Sequence, residues 1–179
     1  MTENQSFVTE RGPSVGSVAL KWGFIFALIG VIFSLILMVS GLAENRWISS
    51  LAYLILIAGI VIGMKNFKEQ NHGYMSYGQG LGLGSIISAI FGFLSGTFSW
   101  LYIEFVDPSY MTRIFEKQRE EMIRKGLSDE QIDAGMAMAE NFQGPVAMIL
   151  GATVITLIVG FILSLIISAV MKNARPEFE

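Results

Sequence analysis

The chain has 179 residues, of which 53% are hydrophobic and only 15% are charged, and its mean hydropathy is +0.56. Such a composition, with long uncharged stretches, excludes an ordinary soluble domain and indicates an integral membrane protein. With 12 basic and 15 acidic residues the net charge is -3, which gives no basic surplus for nucleic-acid binding. The absence of cysteine excludes disulfides, thiolate metal ligands and cysteine nucleophiles.

Four apolar segments are each long enough to cross the hydrocarbon core of a bilayer, which takes about 20 residues of helix. The spans are predicted at residues 22–42, 47–64, 80–103 and 146–171, with Lys21 just before the first. Pro145 suits the first position of the last helix, where a missing N–H costs no hydrogen bond. The sequence therefore predicts a single all-α, four-span membrane domain with both termini on one side.

The third predicted span carries a small residue at every fourth position, in a stretch that has no charge from Gly73 to Ile103. Residues four apart share one face of a helix, and small residues there let a neighbouring helix approach closely in lipid. The predicted helix-packing groove consists of Gly80, Gly84, Ser88, Gly92 and Gly96. We expect this groove to seat another span of the same chain rather than a second copy. The glycine spacing fits neither a P-loop nor a dinucleotide-binding fingerprint.

The segment 107–143 is predicted to be an extramembrane amphipathic helical hairpin. Asp107 and Pro108 suit the start of its first helix, and Ser128 has Gln131 at capping-box spacing for the second. An apolar face on such a tethered hairpin is most easily buried against the bundle end or the bilayer surface, so we expect a structured cap. Docking of a protein partner on this face is the alternative.

The connection between the second and third spans is the one place where the sequence indicates a ligand. Lysines at the end of a span attract anionic headgroups, and tyrosines sit at headgroup depth. The candidate anionic-lipid contacts are Lys65, Lys68, Tyr74 and Tyr77. The alternative interpretation is that these lysines only set the topology of the chain.

The sequence gives little support for catalysis or for transport. His72 is the single histidine, and it has no paired carboxylate at ligand spacing. We therefore predict that the protein is not an enzyme and has no catalytic residue, no metal site and no cofactor. The predicted spans hold no ionisable group at mid-depth, which disfavours a proton or solute carrier.

Several short motifs together resemble those of a known family. They are Lys65-Asn-Phe-Lys68, then Gly73-Tyr-Met-Ser-Tyr77-Gly78-Gln-Gly80 leading to Gly84, then Phe105-Val-Asp107-Pro108-Ser-Tyr110, and the Gly144-Pro145 pair before the fourth span. Over nearly its whole length the chain resembles a family of bacterial four-span membrane proteins designated domain of unknown function, number 4199. The resemblance implies a four-span architecture and the bacterial inner membrane. It brings no activity, substrate or catalytic residue.

The function favoured by these observations is that of a non-enzymatic membrane scaffold or partner-binding protein. Two alternatives stay open: a subunit of a small oligomeric transporter or channel, and a membrane-bound enzyme that acts on lipid. The expected partners are membrane lipids and a protein docked on the 107–143 hairpin, without nucleic acid, and the oligomeric state is left open. Basic residues are evenly divided between the two sides, but those nearest the span ends favour cytoplasmic termini and an outward-facing hairpin.

Overall fold

A computed structural model describes residues 12–140 and 144–174, and within these ranges the protein is all-α, with no strand longer than a single bridge. The elements are α1 (Val15–Val39), a 3-10 turn (Leu42–Glu44), α2 (Arg46–Ser49), α3 (Ala52–Gln70), α4 (Tyr77–Phe105), α5 (Tyr110–Arg124), α6 (Asp129–Glu140) and α7 (Pro145–Met171). Four helical segments are long and apolar enough to cross a membrane, namely α1, α2 continued into α3, α4 and α7. The predicted fold class is therefore confirmed.

Several helical boundaries near the membrane surface differ from the predicted ones. Helix α1 begins at Val15 rather than at residue 22 and ends at Val39, and Gly41 then turns the chain with a φ of 71°. Helix α3 does not end at residue 64 but continues to Gln70. The fall in hydropathy at residue 65 suggested an end, but Phe67 is only 1% exposed and fixes the additional turns to the core.

The start of the hairpin also differs from the prediction. Helix α5 begins at Tyr110 with Ser109 at the N-cap position, so Asp107 is not the cap and Pro108 is not the first helical residue. The Asp107 carboxylate is instead bound by the side chains of Ser109 and Arg113. The residues 141–143, which the prediction placed at the end of the hairpin, lie outside the described ranges.

The transmembrane core forms where α4 packs between α7 on one side and α1 and α3 on the other. Its fully buried side chains come mainly from α3 and α4, and small residues of α1 bring that helix close to them. They include Ala19, Ala27, Leu56, Ile60, Met64, Phe67, Leu83 and Ile87. Helix α4 is thus the central element of the bundle.

The extramembrane hairpin consists of α5 and α6 packed on one another. Gly126 ends α5 with a φ of 76°, a backbone conformation that residues other than glycine rarely adopt. Ser128 and Gln131 form both hydrogen bonds of a capping box, as their spacing predicts. Ile132 is 2% exposed, and Met122 lies against Gly135, so the two helices share a small apolar core.

Candidate functional site

The small-residue groove of α4 is occupied by α7 of the same chain. A methyl group added at Gly92 would lie 2.8 Å from the Cα atom of Thr153 and 2.9 Å from the carbonyl oxygen of Ala152. One added at Gly96 would lie 2.9 Å from the Cβ atom of Ala152. At this half of the groove the α7 backbone itself occupies the space that a side chain on α4 would need.

In the other half of the groove, serines and glycines alternate between the two helices. Ser164 of α7 fills the space at Gly84, and Ser88 of α4 fills the space at Gly160. The Ser88 hydroxyl donates to the carbonyl of Gly84 at 2.7 Å, and the Ser164 hydroxyl donates to that of Gly160 at 2.6 Å. Because the hydroxyls of Ser88 and Ser164 each bond within their own helix, α4 and α7 are held together here by close packing and not by hydrogen bonds between them. The packed groove has no room for a ligand.

Of the four residues predicted to contact lipid, one bonds to the C-terminal end of α7. Lys68 lies on α3, where its Nζ donates to the carbonyl of Met171 at 3.1 Å. A cation at this position satisfies a free carbonyl at the C-terminus of α7 and complements the helix dipole. Lys65 lies on the same helix and is exposed, whereas Tyr74 is half-buried and Tyr77 is exposed at the start of α4. The structure thus assigns Lys68 to an intramolecular contact and leaves Lys65 on the surface.

The connection from α3 to α4 is hydrogen-bonded to the residues that follow α7. Met75 and Asn173 exchange two backbone hydrogen bonds of 2.8 and 2.9 Å, and the Asn173 side chain donates to the carbonyl of Gly73 at 3.0 Å. Met75 is completely buried. No sequence pattern predicts this pairing, because it joins residues about 100 positions apart without any recognisable motif.

His72 belongs to this connection and has a φ of 54°, in the left-handed region. Its side chain is exposed and lines a polar cleft of about 530 Å³, together with Asn71 and Gln79. Within residues 12–140 and 144–174, no group of three or more His, Cys, Asp or Glu side chains is arranged to hold a metal ion. We assign His72 no chemical role.

We expect the two lysines to affect different properties of the protein. Lys65→Gln should reduce the retention of anionic phospholipid in native mass spectrometry if the predicted lipid contact exists, because Lys65 is the exposed cation of the pair. Lys68→Gln should mainly lower the thermal stability in detergent, because it removes the bond to α7. Unchanged lipid retention in Lys65→Gln would leave Lys65 with a topological role alone.

At the opposite end of the bundle, α5 is held by the turn between α1 and α2. The Glu44 carboxylate lies 3.3 Å from Nε of Arg113 and 3.6 Å from Nζ of Lys117. Lys117 also donates to the backbone carbonyl of Glu44 at 3.1 Å, and Arg113 forms a 2.6 Å ion pair with Asp107. These contacts place α5 across the end of the bundle, and Tyr110 at its start lines a cavity beside α1.

The electrostatics of this anchor alter two pKa values. The hydrogen bond from Arg113, followed by that from Ser109, holds the pKa of Asp107 below its usual value. Burial, followed by the nearby charge of Glu44, raises the pKa of Tyr110 above its usual value. The anchor therefore depends on an ionised Asp107, whereas Tyr110 stays neutral at physiological pH.

Acidification should loosen the anchor of α5. Because the pKa of Asp107 is lowered in the folded protein, its stabilising contribution is present above the ordinary carboxyl pKa and is lost as the pH falls through the folded value. Backbone hydrogen exchange in α5, corrected for its intrinsic pH dependence, should accelerate over that range. Asp107→Asn is the control: it should show the faster exchange already at neutral pH, and exchange as slow as in the wild type at neutral pH would contradict the assignment.

A second surface of the hairpin is open, and its lining combines apolar side chains with polar ones such as Thr112 and Glu116. Met111, Phe115 and Met136 line a cleft of about 410 Å³ between α5 and α6. Met138 is 66% exposed farther along α6. Arg119 joins the two helices through a 3.5 Å ion pair with Asp133. Sequence periodicity identified the methionines as one face of the hairpin, but it could not show that α6 leaves part of that face uncovered.

Comparison with known proteins agrees with the architecture. A family model described as Protein of unknown function (DUF4199) matches residues 21–173. The matched region covers all four apolar helical segments from residue 21 onward, the hairpin and the pairing partner Asn173. Searches of curated proteins and of solved structures found no match.

Proposed function

Since the chain belongs to the family Protein of unknown function (DUF4199), whose description names no activity, we propose from its geometry that it is a non-enzymatic membrane scaffold that presents the α5–α6 hairpin to a protein partner. The observation that supports this function is the division of the hairpin into two surfaces. Glu44 holds the polar side of α5 through Arg113 and Lys117, while the cleft lined by Met111 and Met136 stays open.

The contacts of α6 support a binding role for this hairpin. Helix α6 packs mainly on α5, and α5 is anchored on the bundle by the Glu44 contacts, so the open cleft is presented on a fixed base. Methionine side chains are flexible and polarisable, which suits surfaces that adapt to a partner.

The proposal places the protein in the bacterial inner membrane with cytoplasmic termini and an outward-facing hairpin. Gly12 and Asn173 line the same cleft, so the residues before α1 and those after α7 lie on the same side of the bundle. The lysines at the ends of spans on that side favour a cytoplasmic location. A fluorescent protein fused to the C-terminus should fluoresce, and alkaline phosphatase fused there should be inactive. Active phosphatase at the C-terminus would contradict this orientation.

The partner-binding role is tested by photo-crosslinking in native membranes. With p-benzoylphenylalanine in place of Met138 or of Phe115, we expect a crosslinked protein adduct whose mass is the same for both positions. The same probe at Glu120, on the outer polar face of α5, should not give this adduct and serves as the matched control. Met138→Lys should remove the adduct formed from Phe115 without lowering thermal stability, because Met138 is exposed.

Two results of this experiment would overturn the proposal. Adducts with lipid alone from Met138 and Phe115 would show that the hairpin lies on the bilayer as a cap. Identical protein adducts from Glu120 would show that the crosslinks report random collisions rather than a binding face.

A further inference from the structure

A lateral cleft opens between α3 and α7 at the hairpin end of the bundle. The two helices meet at the other end, where Lys68 bonds to Met171, but α7 packs mostly against α4 and only lightly against α3. Toward Tyr53 and Thr156 they are separated by a cleft of about 450 Å³. This volume lies within the range of about 300–1,000 Å³ that is typical of small-molecule sites in proteins.

The walls of this cleft change in character from its mouth to its interior. The inner wall is formed by buried apolar side chains, of which Leu56 is fully buried and Phe91 is 7% exposed. The mouth is polar and lies beside α2, whose Trp47 is 85% exposed. Because exposed tryptophans sit at headgroup level, the mouth lies at the membrane surface and the interior at the depth of the acyl chains. The residues that line the cleft include Glu44, Arg46, Tyr53, Leu56, Phe91 and Thr156.

The charge at the mouth is positive and partly uncompensated. Both oxygens of the Glu44 carboxylate are engaged, by Arg113 and by Lys117. Arg46 is exposed and has no ion-pair partner within the described ranges, and the Tyr53 hydroxyl forms no hydrogen bond with the described residues. Lys117, Glu121 and Lys125 line an adjoining cavity of about 350 Å³ that Arg46 also borders. A guanidinium and a phenol at the mouth thus have unused hydrogen-bond donors.

We propose that this cleft binds one anionic phospholipid, with its phosphate at Arg46 and one acyl chain between α3 and α7. A planar guanidinium binds a phosphate through two parallel hydrogen bonds, and the Tyr53 hydroxyl is placed to add a third. The acyl chain then covers the apolar wall at Leu56 and Phe91. This site is separate from Lys65, at the other end of the bundle, and it does not depend on a protein partner for the hairpin.

The headgroup contact is tested with the full chain in mixed nanodiscs of phosphatidylglycerol and phosphatidylcholine. Native mass spectrometry should show one phosphatidylglycerol retained at this cleft on the wild type, in addition to any held at Lys65. Arg46→Gln should lower this retention about tenfold, as expected for the loss of a charge-assisted hydrogen-bond pair. Arg124→Gln, which removes an equally exposed cation at the far turn of the hairpin, is the matched control and should retain lipid as the wild type does.

The acyl-chain contact is tested with phosphatidylglycerol that carries a photoreactive acyl chain. Labelling should concentrate on α3 and α7 at Leu56 and Thr156, and Ala52→Phe, which fills the cleft, should remove it. Equal lipid retention by wild type and Arg46→Gln would overturn the proposal. So would equal retention of phosphatidylcholine, or labelling spread over exposed positions of α1 such as Ile32.

Discussion

Gly92→Leu should destabilise the protein in detergent by about 1–3 kcal/mol, the usual cost of inserting a large side chain into a well-packed core. The atoms that a side chain at this position would meet belong to the α7 backbone at Ala152 and Thr153 rather than to the flexible end of a side chain. Backbone cannot turn aside, so α4 and α7 must separate. The measurement is the thermal or chemical unfolding midpoint of the purified protein.

Gly151→Leu is the control for this prediction. It makes the same change within a transmembrane helix, but nothing lies within 4 Å of a Cβ atom at Gly151, so the stability should be nearly unchanged. If Gly92→Leu were as stable as wild type but turned a dimer into a monomer, the groove would be an oligomer face instead. Equal destabilisation by Gly92→Leu and Gly151→Leu would mean that the loss of stability comes from placing leucine in a transmembrane helix and not from the α4–α7 contact.

Exchanging the residues at positions 88 and 160 should cancel the effect of either change alone. Gly160→Ser places a second side chain where Ser88 already fills the space, so it should be destabilising. When Ser88→Gly is added, glycine on α4 faces serine on α7, so the contact again contains one serine and one glycine. The serine hydroxyl can again donate to a carbonyl of its own helix, as Ser88 does to Gly84.

The signature of this pair is a coupling free energy of about 0.5–3 kcal/mol, which is the range for residues in direct contact. It is obtained from the unfolding free energies of the wild type, both single variants and the double variant. Additive effects of the two changes would show that Ser88 and Gly160 do not contact each other. Gly160→Ser with Ala58→Ser provides a non-contacting comparison, because Ala58 lies on α3, away from this α4–α7 contact.

The fold class could be predicted because it depends on local patterns. Hydropathy over about 20 residues locates a span regardless of what it packs against, and small residues four apart identify a face that a helix can approach. Boundaries were less predictable, because the continuation of α3 past residue 64 depends on where Phe67 is buried. That information is tertiary and has no signature in local hydropathy.

The functional surfaces were less predictable than the fold for the same reason. Lys117 pairs with Glu44, which comes from a turn distant in the chain, so no pattern within α5 indicates this contact. Lys68 was predicted to meet lipid, and its ammonium instead donates to Met171. The cleft beside Arg46 is formed by the separation of α3 and α7, which no pattern within either helix indicates.

The central claim, that a single chain closes its own groove with α7, is tested most directly by one engineered disulfide. The chain has no cysteine, so Gly80→Cys together with Ser168→Cys introduces the only two thiols. A Cβ atom at Gly80 lies 3.1 Å from that of Ser168, close to the separation of about 3.5–4.5 Å found in disulfides. After oxidation in native membranes, we predict an internally bridged monomer of unchanged mass, with no band at twice that mass. A dimer linked between Gly80→Cys of one chain and Ser168→Cys of another would contradict the account.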